Sequence, residues 1–226
     1  MSEMRRKRIY QTKLIMKNST IVSAKTAKGI REGRITAFIE PVKHKLSFEA
    51  NDPKRTDLDA YGVLDKNGNY FFNRDHEPIT ARDICPFRIG QETYFRELWW
   101  SGYELDDSDI VDYAKPMTLY KADTMDGRPC DMSDSHCYLL FGHDKRVWPS
   151  WRSATTMPKS AARLFATIED VKCMRVQDVD ARILGYNTPS MIECVQQYYK
   201  YIIDKFGQKA WDNNIFVWLF KFNLKK

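Results

Sequence analysis

The chain predicts an α+β fold in which strands outnumber helices, and three stretches carry that expectation. Ser23 to Glu32 runs into Gly33 and is followed at once by the β-branched and aromatic run Arg34-Ile35-Thr36-Ala37-Phe38-Ile39-Glu40. A long amphipathic stretch opens at Asn187-Thr188-Pro189-Ser190 and stops at Gly207. The last apolar run, Ile215 to Phe222, is too continuous for a half-exposed strand and reads as a buried closing one. Helix, strand, hairpin, strand, excursion, strands, helix, strand is an α+β order that a small curled sheet or barrel would accommodate.

Each element has a local reason. Gly33 tolerates the left-handed turn that ends a helix, so Ser23–Glu32 stops there. Arg34–Glu40 is strand-like, and Pro41 closes it. Asn67-Gly68 between Tyr61–Leu64 and Tyr70–Phe72 predicts a hairpin. Thr93–Trp100 is the next strand, and His136–Phe141 another. Ala161–Val176 reads as extended, with a break or bulge near Glu169-Asp170. The late helix places Met191, Val195, Tyr198, Ile202 and Phe206 on one face. Residues 1–21 form a basic N-terminal segment. Residues 22–226 form a single domain with insertions at about 44–88 and 101–135, both polar and turn-rich. Loops of that length are functional or disordered more often than incidental.

Composition narrows the class. The 226 residues carry 36 Lys and Arg against 30 Asp and Glu, a net charge of +6. This mild excess favours an anionic partner without demanding one. Five cysteines, an odd number in a chain of this size, argue against a disulfide framework and for reduced thiols in the cytoplasm. No apolar run approaches the roughly 18–20 residues of a membrane span. Cys130, His136, Cys137 and His143 lack zinc-knuckle spacing, and no glycine-rich phosphate loop is present. The expectation is no metal, no cofactor and no membrane.

Several motifs, taken in order, resemble the phage-borne branch of the ASCH domains, within the PUA-like superfamily. Gly33 ends a helix before a strand. Gly90 precedes Arg96, Glu97 and Trp99. Trp151-Arg152 leads to Met157-Pro158-Lys159. Ile168, Asp170, Val171, Arg175, Val176, Gln177 and Asp178 follow, and Trp211, Asp212, Asn214, Val217 and Trp218 close the series. The match spans about residues 22 to 222. The resemblance implies a PUA-like β pseudobarrel with flanking helices, long inserted loops and a cleft suited to RNA or an unusual nucleobase. Some relatives hydrolyse N4-acetylcytidine and some are reported as nucleases. Their signature is Gly-x-Lys-x-x-Glu-x-Arg, or Gly-Arg-Lys-Thr-x-Thr-Arg-Arg in the phage branch. Here Gly33, Arg34 and Thr36 fit. Ile35 stands at the reactive Lys, Phe38 at the second Thr, and Ile39 and Glu40 at the basic pair. An isoleucine cannot supply the neutral amine that a desolvated lysine offers as nucleophile or base.

The candidate site follows from residue chemistry. Arg96 and Glu97 are neighbours on a predicted strand and face opposite sides. Glu97 either accepts from a base amine, acts in acid–base chemistry, or sits in an ion pair. Trp151, Arg152, Lys159 and Arg163 form the best anion-and-base surface, because guanidinium forks hold phosphate and indoles stack on splayed bases. Lys28 and Arg34 join them as nucleic-acid contacts, and Glu97 with Thr36 would be the catalytic pair of an enzyme. Trp211, Phe216 and Trp218 read as core. The expected function is a nucleic-acid binding module, recognising RNA or a modified nucleobase, of phage or prophage origin and without the amidohydrolase chemistry. The alternatives are a hydrolase acting on an acylated nucleoside or RNA, and a phage accessory protein whose partner is a host protein, in counter-defence or morphogenesis.

Overall fold

A computed structural model describes residues 17–47, 57–73, 75–104, 115–123 and 151–225. The predicted strand His136–Phe141, the residues Cys130, His136, Cys137 and His143, and positions 1–16 of the basic segment lie outside the described residues. In chain order the elements are β1 (Ser19–Ile21), α1 (Ala24–Arg31), β2 (Ala37–Pro41), β3 (Lys45–Leu46), β4 (Val63–Leu64), α2 (Ala81–Ile84), β5 (Glu92–Arg96), β6 (Trp99–Glu104), β7 (Lys115–Tyr120), β8 (Phe165–Arg175), α3 (Met191–Phe206), α4 (Gln208–Asp212) and β9 (Phe216–Leu224). The class is α+β. Among the described residues no helix is long and apolar enough to cross a membrane. The chain forms two compact units that interleave along the sequence. The first holds the described parts of Met1–Lys17, Thr36–Gln91 and Thr167–Asn223. The second holds those of Asn18–Ile35, Glu92–Ala166 and Leu224–Lys226.

In the first unit the strand order is β8-β9-β2. Antiparallel β2 and β9 set Phe38 opposite Phe220 and Ile39 opposite Leu219. Alternation sends the two sets to opposite faces. Ala37, Ile39, Val217 and Leu219 pack with Cys194, Tyr198 and Ile202 of α3. Phe38 packs instead with Phe87 and Phe220, ring centroids 5.6 and 5.0 Å away. Both faces are therefore covered, which is why Ile215–Phe222 reads as a near-continuous apolar run, interrupted only by Lys221. Pro41 closes β2 as its last residue. Among the strands of this unit β2 is an edge, where a missing N–H costs no ladder bond.

Three expectations need correction. The strand expected from Arg34 starts at Ala37, because the N–H groups of Arg34 and Ile35 both bond back to the Gly29 carbonyl at 2.9 and 3.1 Å. These residues finish the exit of α1, with Gly33 at φ +70°. The strand expected over Thr93–Trp100 is two strands. β5 pairs in parallel with β1 as far as Arg96, and β6 starts again at Trp99 to pair antiparallel with β7. The buried face of α3 is Cys194, Tyr198 and Ile202, while Met191 and Val195 are exposed. The Tyr198 hydroxyl donates to the Val176 carbonyl at 2.7 Å and sets that rotation. In β8 the buried positions run Ala166, Ile168, then Val171, Cys173. The phase slips by one at Glu169-Asp170, as a bulge requires.

The predicted insertion at 44–88 contributes to packing. Leu46, Leu58, Tyr61, Val63, Ala81, Cys85 and Phe87 are all buried. The turn at Asn67-Gly68 forms, with Gly68 at φ +84° and Leu64 bridging Tyr70. Trp218 is core as expected, and Trp211 packs edge-on against Tyr198 and Tyr199.

Candidate functional site

All but one of the predicted site residues belong to the second unit. The exception is Thr36 of the first unit, which is exposed and uses its backbone to bond Ile183 and Phe222. It is no member of the second-unit cluster. In the second unit the Trp151–Arg163 stretch is a pair of tight turns. Ser153 caps Ala154–Thr156, and Pro158 leads into Lys159–Ala161. The backbone of Arg152 exchanges hydrogen bonds with that of Trp99, at 2.8 and 3.4 Å. Arg96 donates to the Thr155 carbonyl at 3.0 Å. Met157 is buried, its sulfur receiving the Glu97 N–H at 3.4 Å. The Met-Pro corner is thus a packing device, with Arg152 and Lys159 exposed on either side of it in sequence.

Glu97 is fully buried and sits in an ion pair. Its two oxygens accept from Arg163 Nε at 2.9 Å and Nη2 at 3.2 Å. The other edge of the Arg163 guanidinium holds Asp123, through Nη1 and through Nη2 at 3.2 Å. Asp123 in turn accepts from Arg31. The guanidinium plane lies 3.9 Å from the centroid of the Tyr120 ring, whose hydroxyl donates to the Ala161 carbonyl at 2.8 Å. Four charges alternate in sign along Arg31, Asp123, Arg163 and Glu97. Burial opposes the charge of Asp123, but hydrogen bonds from Arg163 and Arg31 outweigh it and hold the carboxyl below the ordinary Asp range. Burial likewise opposes the charge of Arg163, and its two carboxylates overcome that and raise it. With both oxygens taken by Arg163, Glu97 is poorly placed for proton transfer to a ligand.

The depressed Asp123 carboxyl has a consequence for stability. A carboxyl that binds protons more weakly when folded stabilises the fold above its unfolded pKa, near 4, and ceases to as pH falls through the folded value. Melting temperatures of the native chain and of Asp123→Asn should therefore differ most above pH ~5 and converge on acidification. A gap that stays constant down to low pH would contradict the pairing.

The remaining cations differ in what neutralises them. Arg34 is held by Glu32, with Nε 2.7 Å from the carboxylate. Arg152 is exposed, and its guanidinium lies over the Trp99 ring at 5.1 Å from the centroid. Among the described residues neither Arg152, Lys28 nor Lys159 has a carboxylate within ion-pair distance, and all three are exposed. Trp151, next to Arg152 in sequence, is half-buried. Among the described residues, two buried donors, Arg96 Nε and Trp99 Nε1, have no acceptor.

Arg31, Tyr120 and Asp123 were not predicted. Arg31 has only its place in the last turn of α1 to mark it. Tyr120 and Asp123 fall in the segment read as an excursion, where no local pattern singles them out. A depression of about 240 Å³ lies in the first unit, lined by Asp57, Arg82, Phe87, Arg88, Ile89 and Asp170 among others, and none of the predicted residues borders it. Arg82 there is already held by Asp59 at 2.7 Å. Burial pushes the Cys85 thiol up to about 11 and the Cys173 thiol up to about 12, so neither is a nucleophile at neutral pH. Comparison of the chain with family models, curated proteins and solved structures finds no match.

Proposed function

We propose that the second unit is a nucleic-acid binding module that takes RNA or a modified nucleobase on the surface carrying Arg152. One observation carries this reading. Arg152 is an exposed guanidinium laid on an indole, with no carboxylate to neutralise it among the described residues. Among the described residues, the other arginines of this unit have an acid or a carbonyl on them, and Arg152 has neither. An exposed guanidinium over an indole offers paired donors to a phosphate and an aromatic neighbour to a base. Lys28 and Lys159 add exposed positive charge in the same unit. The PUA-like pseudobarrel and the phage origin that the motifs suggest belong to the same proposal.

Titrating a labelled single-stranded RNA into the full chain tests it. Arg152→Ala should weaken binding about tenfold at low salt. It should also make the slope of log K against log[salt] shallower by about 0.7, the value of one phosphate contact on a single strand. An affinity and slope unchanged for every RNA and DNA tried would overturn the proposal.

A further inference from the structure

Resting on the nucleic-acid reading of this unit, we propose that Arg31 and Arg163 form a clamp for one backbone phosphodiester, and that Asp123 fills it as an internal anion until nucleic acid displaces it. The two oxygens of Asp123 are shared between the guanidinium groups. Oδ1 accepts from Arg31 Nη1 and Arg163 Nη2, and Oδ2 accepts from Arg163 Nη1. A phosphodiester also presents two anionic oxygens on one centre, and arginine forks bind carboxylate and phosphate by the same paired donors.

The clamp is asymmetric, and that decides which carboxylate can leave. The side chain of Glu97 is 1% exposed and that of Asp123 37% exposed. Glu97 fixes the inner edge of Arg163, and the Tyr120 ring supports its face. Arg163 therefore keeps its orientation when Asp123 departs. Arg31, with its side chain 43% exposed, is reachable from solvent, as is the carboxylate it holds. Lys28 lies one helical turn earlier on α1 and extends the positive strip. With Asp123 seated the four charges cancel, so the cluster attracts no anion. With Asp123 displaced, the site holds two cations against one buried carboxylate. The acid thus sets a threshold that isolated phosphate crosses poorly and a polyanion, already held at Arg152, crosses readily.

Affinity for a single-stranded RNA, measured by fluorescence anisotropy on the full chain, tests the clamp. Asp123→Asn should raise affinity about fivefold or more at low salt. The control Asp180→Asn removes an equal charge from a carboxylate paired with Arg182 in the first unit. It should change affinity by less than about twofold. Arg31→Ala, which leaves the Arg163–Glu97 pair in place, should lower affinity and abolish the gain from Asp123→Asn. Equal gains for the two Asn variants, or a gain that survives Arg31→Ala, would overturn the clamp while Arg152→Ala still weakened binding. Inorganic phosphate at matched ionic strength should compete weakly. Saturation by phosphate alone, with the same gain from Asp123→Asn and no RNA binding, would overturn the assignment to nucleic acid. Loss of all binding in every form would remove the underlying reading as well.

Discussion

Arg163→Leu is expected to destabilise the protein by about 3–5 kcal/mol, measured as a drop in the urea midpoint. The reason is what it leaves behind. Glu97 has no exposure to water, and Arg163 supplies the donors to both of its oxygens. Removing the guanidinium strands a charge in a site that cannot solvate it, and that penalty exceeds the net worth of the intact pair. The same physics predicts the double variant. Glu97→Met with Arg163→Leu removes both charges, and most of the loss should return. Arg163→Lys should fall between, because an ammonium keeps the charge but cannot fork onto two carboxylates. A loss under about 1 kcal/mol for Arg163→Leu, or no recovery in the double variant, would show that Glu97 finds other partners. The experiment also separates stability from binding. The double variant would restore the fold and still lack the Arg163 edge proposed to hold phosphate, so under that proposal its RNA affinity should stay low.

What was legible in the sequence follows from how local each signal is. Ser23 accepts from the Thr26 N–H and caps α1, Gly207 ends α3 at φ +87°, and β9 is buried on both faces, all as their own residues dictate. The phase slip at Glu169-Asp170 is visible because two residues break an alternation. The face of α3 was not legible. Its apolar residues span a wide arc, and only the bond from Tyr198 to Val176 and the packing under Tyr198 decide which part is inside. The split of Thr93–Trp100 depends on where β1 and β7 pair, which no property of that stretch encodes. The site divides in the same way. Arg96, Glu97, Arg152 and Arg163 could be named from residue type and motif. The acid at Asp123, 40 residues from Arg163, could not, since an ion pair across that separation leaves no periodic trace.

Phe38→Thr is expected to cost about 3–5 kcal/mol. The resembled signature carries a Thr at this position. Here the side chain is a buried aromatic, directly opposite Phe220 and packed with Phe87 and Phe222. A threonine would leave a cavity where a ring was and put a hydroxyl among phenylalanines, so a transfer loss and a desolvation penalty add. The neighbouring change should behave differently. Ile35 is half-buried, its side chain lying where a Cβ on Gly29 would sit, 2.6 Å from Cδ1. In Ile35→Lys the aliphatic stem can cover Gly29 while the amine reaches water, and the expected loss is within about 1 kcal/mol. Thermal unfolding of the two single variants distinguishes them, and equal losses would sink the argument. If the losses differ as stated, the backbone accepts a lysine at position 35 far more readily than a threonine at position 38. Phe38 is held by its aromatic neighbours, and the β2–β9 core depends on its staying there.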